Sequence, residues 1–355
     1  MSLINKKINI KSLSTKYSVE FIRISKSHLK KNIGIDDVLI VDEKVYKLHK
    51  LAKLIPKTNL IMITANEKSK SFENLGKIIK KILQFDFKKN NKIIVIGGGI
   101  TQDVGSFISS ILFRGVDWVF YPSSFLAQCD SCIGGKTSIN FYNHKNQLGN
   151  FNPPKKIFVD TKFLKSLSKK DIRSGIGEMA HYFLVSGEKD TNFFSNNYKK
   201  ALDHDLKTSA QLIFRCLRIK KFFIEKDEFD KKERLLLNYG HTYGHAIESL
   251  TNYKMPHGIA VAHGMNIANY ISFNYGYLNY DNFSKLQSLL KDIYGEFKLK
   301  KFDIGRYCLI LKKDKKNINS NLRTILTRGA GKMFIHEIKM DIFFKETLNK
   351  YLLKH

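Results

Sequence analysis

The sequence predicts a protein of two domains, an α/β domain over residues 1–161 followed by a mainly α-helical domain over residues 162–355. Three observations support this division. The chain has 355 residues, which is enough for two domains of ordinary size. Short apolar runs alternate with helix-like stretches up to about residue 160. Beyond that point strand-like runs nearly vanish and long stretches of helical spacing take over.

The first domain is predicted from six short runs rich in Val, Ile and Phe, which are typical of strands. Helix-like segments lie between these runs, notably 71–86 and 102–113. Regular alternation of strand and helix indicates a largely parallel sheet, because parallel neighbours need a crossover connection. The six runs are 19–24, 37–43, 59–65, 92–99, 118–124 and 155–161.

The second domain is predicted from Leu, Ile and Phe recurring at helical spacing. The stretches with this spacing are 198–225, 233–250, 258–274 and 282–292. We find no internal repeat and no low-complexity linker. A cleft between two domains is a usual place for a ligand, so we expect the active site there.

Composition excludes several classes of protein. Hydrophobic residues make up 43% of the chain, which is typical of a globular protein. No apolar run is long enough to span a bilayer, so we expect no membrane association. The first 21 residues contain no apolar core followed by a small-residue cleavage site, so a cytoplasmic location is the expectation.

The formal net charge of +29 favours an anionic partner. Lysines are spread over the whole length, and no basic helix interleaved with aromatic residues appears. We therefore expect no dedicated nucleic-acid binding, and a phosphorylated small molecule is an equally natural use of positive potential.

The four cysteines do not form a recognisable set. Cys129 and Cys132 make a C-x-x-C pair, whereas Cys216 and Cys308 stand singly. The pair could be a redox couple or half of a zinc site, but a second half is missing. We expect these cysteines to be small, reduced and partly buried residues.

Two segments suggest anion binding. "VIGGGITQD" (95–103) ends a predicted strand in three glycines and leads into a helix, whose free N–H groups and dipole suit a pyrophosphate. It could also be only a tight connection. The loops at 130–151 place Asp130, Lys136, Lys145 and Asn146 among glycines, where Lys and Asn suit phosphate or carboxylate.

"NYGHTYGHAIE" (238–248) puts His241 and His245 on one face of a helix, with a glycine before each. Such a pair can bind metal, or one member can bind metal while the other moves a proton. Glu178, His241 and His257 would form a three-ligand site with open positions, as in catalytic zinc centres. A plain helix start carrying histidines remains the alternative, because spacing alone does not show that these residues meet.

Taken together, these segments resemble the 3-dehydroquinate synthase family, within the wider group of sugar-phosphate cyclases. The resemblance runs from about residue 60 to 330. The motifs that carry it are "GGGITQD" (97–103), Arg114–Gly115, Pro122–Ser124, Asp130–Thr137 (D-S-x-x-G-G-K-T), Lys145–Gly149 (K-N-x-x-G) and Asn238–Ala246 (N-x-G-H-x-x-G-H-A). "NEKSK" (66–70) and "LKKDKK" (311–316) resemble an adenine-ribose segment and a lysine-containing substrate segment.

The resemblance implies a Rossmann-like N-terminal domain that binds NAD, a helical metal- and substrate-binding domain, and a homodimer. It implies a zinc (or cobalt) ion held by Glu178, His241 and His257. The implied NAD-binding residues are Asp42, Glu67, Lys70, Gly98, Gly99, Asp103, Ser123, Ser124, Lys145 and Thr161.

The implied reaction converts 3-deoxy-arabino-heptulosonate 7-phosphate to 3-dehydroquinate and phosphate. It proceeds by transient oxidation at C5, phosphate elimination, re-reduction and an intramolecular aldol closure. His245 would shuttle a proton. The implied catalytic and substrate-binding residues are His245, Asp130, Lys136, Arg234, Asn238, Lys220, Asn146, Arg114, Asp230 and His181.

Arg234 is the residue that points to an acidic substrate. It lies four residues before Asn238, where the family member that makes dehydroquinate has an Arg that pairs with the substrate carboxylate. Lys136 and Lys220 occupy matching basic positions. A guanidinium binds a carboxylate in a bidentate manner that Lys cannot reproduce.

Four positions depart from the family pattern. His181 stands where a Lys is usual, Asp230 where a Glu is usual, and Ile259 where a Glu is usual. Gln102 stands where a Gly is usual and could crowd the pyrophosphate. These departures leave two substrates open: that of dehydroquinate synthase, or a related phosphorylated acid of a specialised pathway.

Two further classes of function remain as alternatives. Metal-dependent polyol dehydrogenases share a two-domain plan and a glycine-rich turn, but they lack the anion loops at 130–137 and 145–149 and would accumulate NADH. A basic binding module on the same fold would contain no metal and would bind nucleic acid in a salt-sensitive manner.

Overall fold

The computed structural model describes residues 3–12, 15–56, 59–142, 144–299, 303–313 and 321–354. The strands among them are β1 (Lys7–Lys11), β2 (Lys16–Phe21), β3 (Val38–Asp42), β4 (Asn59–Ile63), β5 (Ile93–Gly97), β6 (Trp118–Pro122), β7 (Ile139–Phe141), β8 (His144–Leu148), β9 (Lys156–Val159), β10 (Leu322–Thr327) and β11 (Met333–Ile338).

The α-helices are α1 (Lys26–Asn32), α2 (Glu43–Leu48), α3 (Phe72–Leu83), α4 (Gly99–Ile111), α5 (Lys169–Ser186), α6 (Glu188–Ser195), α7 (Tyr198–Leu202), α8 (Leu206–Lys226), α9 (His241–Leu250), α10 (His257–Asn274), α11 (Tyr280–Tyr294), α12 (Ile304–Lys312) and α13 (Ile342–Lys354). Shorter 3₁₀ turns cover Leu51–Lys53, Leu112–Arg114, Thr161–Ser166 and Glu233–Asn238, and a π-helical turn covers Ala127–Ser131.

The chain forms two compact units. The first unit contains Met1–Leu167 and Ser209–Phe229, and the second contains Ser168–Thr208 and Asp230–His355. The segment Ser209–Phe229, expected in the C-terminal domain, thus groups with the first unit. The boundary at 161/162 stays a prediction about functional domains.

The first unit is built on a seven-stranded sheet in the order β1-β2-β9-β6-β5-β3-β4, within the described residues. All neighbours from β2 to β4 are parallel, and β1 pairs with β2 antiparallel at the edge. Five of the six predicted runs contain one strand each, and the run 19–24 overlaps the end of β2, which begins at Lys16. The parallel α/β prediction is confirmed. The sequence analysis missed β1, whose inward residues Ile8 and Ile10 alternate with polar ones.

The central strands are uninterrupted apolar runs because helices cover both faces of a parallel sheet. All five residues of β5 and of β6 are buried. Helix α3 is amphipathic and buries Leu75, Ile78 and Ile82, which recur at a spacing of three and four residues. This packing fixes where the carboxyl ends of β3, β5 and β6 lie.

The sheet has a switch point between β3 and β5. The chain continues from β3 to β4 on one side, and then crosses back to place β5 on the other side. Ligands of open α/β sheets bind outside the carboxyl ends of the strands at such a point. Asp42 ends β3 there, and Gly97 ends β5.

The second unit is mainly helical, as expected, and its helix α10 is largely buried. Fourteen of the eighteen residues of α10 are buried, which explains why its sequence is apolar on all sides. Helix α5 begins with a capping box of Ser168 and Asp171. The sequence analysis missed the β10/β11 hairpin, whose antiparallel strands add a small sheet to this unit.

Among the described residues, no helix is long and apolar enough to span a membrane.

Candidate active site

A buried carboxylate in the second unit lies between two histidines from different helices. Glu178 lies in the middle of α5, and its side chain is only 3% exposed. Its Oε1 lies 3.4 Å from Nε2 of His241, at the start of α9. Its Oε2 lies 3.2 Å from Nε2 of His257, at the start of α10. The three residues expected to bind metal are therefore adjacent.

Glycines explain why three helices approach so closely. A Cβ on Gly258, next to His257, would lie 1.8 Å from the carbonyl oxygen of Ser174 and 2.6 Å from the nitrogen of Glu178. A Cβ on Gly264 would lie 2.0 Å from the carbonyl oxygen of Gly240. The backbone of α10 thus contacts both α5 and the residue before His241.

Gly240 has a second reason to be glycine. Its φ of 84° lies in the left-handed region that favours glycine. The turn lets the chain leave the 3₁₀ segment Glu233–Asn238 and start α9 directly at His241. Together with the close packing on α10, this accounts for the glycine before His241 in the 238–248 motif.

The electrostatics of the cluster keep Glu178 ionised. Burial by itself would raise the pKa of Glu178, but the adjacent His241 and His257 outweigh it and bring that pKa well below its ordinary range. Glu248 contacts the opposite side of His257, with Oε2 3.1 Å from Nδ1. A ring bound at Nδ1 by a carboxylate directs Nε2 toward Glu178, the arrangement by which outer carboxylates orient metal-ligating histidines.

The donor set fits a divalent metal. His241, His245 and His257 form one group whose ligand atoms all lie within 4.8 Å of one another, and Glu178, His181 and His241 form another. One carboxylate oxygen and several imidazole nitrogens are ligands that zinc and cobalt accept. His245 is exposed, with its ring centroid 5.4 Å from that of His241 and 5.7 Å from that of His257.

The segment before His241 contains the predicted substrate residues of the second unit. Arg234 is 4% exposed and lies in the 3₁₀ turn Glu233–Asn238. Asn238 ends that turn and donates from Nδ2 to the carbonyl oxygen of Leu235, at 3.0 Å. Asp230 lies at the start of this part of the unit with a φ of 59°. Their roles stay predictions.

In the first unit, glycines and serines gather at the carboxyl ends of β5 and β6. Gly98 is the N-cap of α4, and Gly99 is its first residue. Ser123 donates its backbone N–H to the carbonyl oxygen of Gly97, at 2.8 Å. A Cβ on Gly98 would lie 3.4 Å from Oγ of Ser124, whereas a Cβ on Gly99 would meet nothing within 4 Å. This open helix N-terminus fits a dinucleotide phosphate.

Gln102 does not need to crowd that helix N-terminus, because its amide is bound elsewhere. Its Nε2 donates to the carbonyl oxygen of Ser131 at 2.6 Å, and Oγ of Ser131 donates back to its Oε1 at 2.6 Å. Gln102 is 4% exposed. The unusual Gln therefore links α4 to the turn that carries Asp130.

A second polar network surrounds Lys70. Its Nζ lies 2.7 Å from Oδ2 of Asp103 and donates to Oδ1 of Asn146 at 2.9 Å. The backbone N–H of Ser138 donates to Oδ1 of Asp103, at 2.9 Å. Burial raises the pKa of Asp103 to about 6 despite the neighbouring ammonium of Lys70. Three of the residues predicted from separate motifs are thus in direct contact.

Predicted residues form two further pairs in the first unit. Lys220, on α8, donates from Nζ to Oδ1 of Asp130 at 2.6 Å and to its carbonyl oxygen at 2.7 Å. The π-helical turn Ala127–Ser131 presents this aspartate, and such turns occur often at functional sites. Lys145 pairs with Glu67, with Nζ 3.6 Å from Oε1.

Asp42 borders a cavity of about 480 Å³ at the carboxyl ends of β3 and β4. Its Oδ1 caps α2 by accepting from the backbone N–H of Lys44 at 2.8 Å and of Val45 at 3.4 Å. Thr161 follows Asp160, whose Oδ1 accepts from the backbone N–H of Lys162. The cavity is lined by Asp42, Glu43, Lys44, Lys47, Leu48, Thr64 and Ala65.

Arg114 is not brought to these clusters. Arg114 is exposed beyond the C-terminal end of α4, and a helix of thirteen residues places it about 20 Å from the glycine-rich turn. Lys136 is exposed. Of the expected substrate segment 311–316, residues 314–316 lie outside the described residues.

The C-x-x-C pair has the environment of structural cysteines. Cys129, Cys132 and Cys216 are buried, and the thiol of Cys216 donates to the carbonyl oxygen of Cys129 at 3.3 Å. Burial raises the pKa of the Cys132 thiol well above its ordinary value. Such a thiol is a poor nucleophile and a poor metal ligand, which disfavours the redox and zinc interpretations.

The sequence analysis missed two residues of these clusters. Ser131 forms the reciprocal bonds to Gln102, and Glu248 contacts His257. The position of Glu248 in the helix that starts at His241 was the available signal. The partner of Glu248, however, is His257 on α10, and the spacing of the two residues in the sequence does not predict their contact.

A parallel sheet with a glycine-rich turn and a buried Glu–His–His cluster together define an α/β enzyme with a metal-type donor set. The sequence model of the 3-dehydroquinate synthase N-terminal domain matches residues 60–174, and that of the C-terminal domain matches residues 175–317. The chain belongs to the 3-dehydroquinate synthase family.

Curated relatives agree with this assignment. The 3-dehydroquinate synthase of Dictyoglomus turgidum is 36% identical over 312 residues, covering 87% of this chain and 86% of the relative. That of Helicobacter pylori is 35% identical over 311 residues, covering 87% of each chain.

Solved structures confirm the fold. A 2-deoxy-scyllo-inosose synthase complexed with carbaglucose-6-phosphate, NAD⁺ and Co²⁺ matches with a TM-score of 0.87 and 23% identity, covering 97% of this chain and 100% of the other. The 2-epi-5-epi-valiolone synthase of Streptomyces hygroscopicus, with NAD⁺ and Zn²⁺ bound, matches with a TM-score of 0.84 and 19% identity, covering 96% of each chain. An iron-containing alcohol dehydrogenase of Thermotoga maritima matches with a TM-score of 0.58 and 13% identity, covering 95% of this chain and 97% of the other.

Proposed function

We propose that this protein is a 3-dehydroquinate synthase that converts 3-deoxy-arabino-heptulosonate 7-phosphate to 3-dehydroquinate and phosphate. The observation that carries the proposal is the buried Glu178 carboxylate between His241 and His257. Relatives of this name at 35–36% identity over most of the chain support the choice of substrate.

We propose NAD and a divalent metal, zinc or cobalt, as cofactors. The open N-terminus of α4 and the Glu–His–His donor set fit these groups, and the neighbouring cyclases bind both. NAD when bound would accept and return a hydride at C5, and the metal when bound would supply Lewis-acid polarisation of substrate hydroxyls.

In the second unit, each residue has a distinct task. Glu178, His241 and His257 would hold the metal. His245, which is exposed beside them, would move a proton at the substrate hydroxyl. Arg234 would bind the substrate carboxylate through two N–H groups, assisted by Asn238.

In the first unit, the contacts support two tasks. Lys220 and Asp130, paired at 2.6 Å, would bind substrate oxygens. Asn146 and Lys136 would supply an amide and a cationic group for the phosphate, whose departure requires compensation of negative charge. Arg114 stays a prediction for the same role, because it lies beyond the far end of α4 from the glycine-rich turn. The network of Lys70, Asp103, Glu67 and Lys145 would bind the nucleotide.

A related phosphorylated sugar acid is the second candidate substrate. His181 favours it, because a buried imidazole replaces the Lys expected three residues after Glu178. An imidazole with an ordinary pKa near 6.5 is a weaker anion ligand than an ammonium group. Asp230 and Ile259 are further departures. The cytoplasmic location, the homodimer and the interdomain active site stay predictions.

The decisive experiment measures phosphate release from 3-deoxy-arabino-heptulosonate 7-phosphate with NAD and zinc, while NADH absorbance is followed in parallel. We expect phosphate and dehydroquinate in equal amounts without net NADH. Accumulation of NADH would instead indicate a polyol dehydrogenase. If the protein binds NAD and metal but does not turn over this compound, the proposed substrate is wrong. Other phosphorylated ulosonic acids are then the compounds to assay.

The Arg234→Lys variant tests the carboxylate assignment within the same assay. We expect kcat/KM to fall by about 10- to 100-fold, because the bidentate contact is lost. Arg306→Lys, which alters an exposed arginine of the same unit, is the matched control. Equal activity of both variants would remove Arg234 from the site.

A further inference from the structure

We infer that His181 is an additional imidazole ligand of the metal, so that this protein has a one-carboxylate, three-imidazole donor set in place of Glu178, His241 and His257 alone. The inference rests on the metal site proposed above and concerns a residue that departs from the family pattern.

The first argument is position. His181 lies three residues after Glu178 on α5, so both side chains project from one face of that helix. The same Glu-x-x-His spacing supplies inward-facing metal ligands in helical metalloproteins. His181 is 1% exposed, and Glu178 is 3% exposed.

The second argument is distance. Oε1 of Glu178 lies 3.4 Å from Nε2 of His241 and 3.9 Å from Nδ1 of His181. A first-row metal binds nitrogen and oxygen ligands at about 2.0–2.2 Å, which places neighbouring ligand atoms about 3–4 Å apart. The ligand atoms of the three residues all lie within 4.8 Å of one another. One ion beside Oε1 of Glu178 can therefore reach these three residues, while His257 lies 3.2 Å from the other carboxylate oxygen, Oε2.

The third argument is the fixed orientation of the ring. The His181 ring packs on Tyr182, with centroids 3.9 Å apart, and lies edge-on to His241 at 5.1 Å. An imidazole held beside two metal ligands loses little side-chain entropy on binding the same ion. A Lys at this position would instead present a charged ammonium, which repels a cation.

The fourth argument is charge. A Lys replaced by a neutral ligand removes one positive charge beside the metal and adds one nitrogen donor to it. Nitrogen-rich sites favour the later first-row metals and retain them more strongly. This chain thereby exchanges direct anion binding at residue 181 for tighter metal binding, and the substrate would enter as a fifth ligand.

X-ray absorption at the zinc edge tests the inference, because multiple scattering from imidazole rings counts the histidine ligands. We expect three imidazoles per zinc in the zinc-loaded wild-type protein and two in His181→Gln. His336→Gln, on β11, is the matched control and should keep three. In chelator competition, His181→Gln should bind zinc about tenfold more weakly than the wild-type protein and the His336→Gln control do.

The His181→Lys variant, which restores the residue usual in the family, provides a second measurement if His181→Gln folds poorly. It should also show two imidazoles per zinc. Two imidazoles in the wild-type protein and in every variant would overturn the inference while leaving the Glu178, His241 and His257 site in place. A wild-type protein that binds no stoichiometric zinc would overturn the metal site itself.

Discussion

At the scale of single residues, burial governs the ionisation of Asp103. Asp103 contacts Lys70 at 2.7 Å, yet burial raises its pKa to about 6. Its ordinary value, which applies in the unfolded chain, is about 3.9. Folding therefore favours the protonated carboxyl. The stability that this group contributes is complete below about pH 4 and is lost as the pH rises to about 6.

Asp103→Asn should abolish that part of the pH dependence. The free energy of unfolding of the wild-type protein, relative to the variant, should fall by about 2–3 kcal/mol between about pH 4 and pH 7. Urea unfolding of both proteins without NAD, followed by circular dichroism at several pH values, measures the difference. Parallel pH profiles would contradict the raised pKa of Asp103.

At the scale of elements, glycine contacts between helices create the metal-type cluster. Gly177 and Gly258 bring α5 against α10, since a Cβ on Gly177 would lie 2.2 Å from the carbonyl oxygen of Gly258. This approach places Glu178 beside His257. The interhelical distance is therefore a property on which both stability and ligand geometry depend.

Gly258→Ala should destabilise the second unit and separate the ligands. The added Cβ would lie 1.8 Å from a backbone oxygen, which cannot move aside as the end of a flexible side chain can. We therefore expect the free energy of unfolding to fall by about 1–3 kcal/mol. Zinc affinity should fall together with thermal stability. Both are measured by calorimetry with and without zinc.

Gly76→Ala is the matched control for that experiment. Gly76 lies inside α3, and a Cβ there would meet nothing within 4 Å. We expect this variant to be more stable by about 0.5–1 kcal/mol, because alanine is the better helix former. If Gly258→Ala is tolerated as well as Gly76→Ala, close helix packing is not what assembles the cluster.

At the scale of the whole molecule, the net charge of +29 gives a positive field that attracts anionic substrates. Because salt screens such a field, kcat/KM for the phosphorylated acid should fall several-fold between about 20 and 200 mM salt, whereas kcat should change little. Steady-state kinetics at several salt concentrations measure both. A kcat/KM that does not change with salt would show that the excess charge has no role in substrate capture.

Much of the fold could be predicted from the sequence because its signals are local. The six strand runs and the helical spacing after residue 162 are visible in the order of apolar and polar residues within a short stretch of chain. β1, β7, β8 and the β10/β11 hairpin were missed. β1 alternates apolar and polar residues over only five positions, β7 has three residues and β8 is mostly polar. β10 and β11 mix charged or polar residues with apolar ones. Ser209–Phe229 has a helical pattern, which contains no information about which unit it joins.

The sequence by itself determined the parallel α/β architecture, the glycine-rich turn and the kinds of side chain that the site contains. Dihedral preferences and hydrophobic periodicity depend on residues that are close together in the chain, so they can be recognised without the fold. Only the tertiary structure decided that Glu178, His241 and His257 meet, that Gln102 binds Ser131, and that His181 lies within ligand distance of the same carboxylate. The physical reason is that these contacts depend on how closely helices and turns pack, and packing joins residues far apart in the chain.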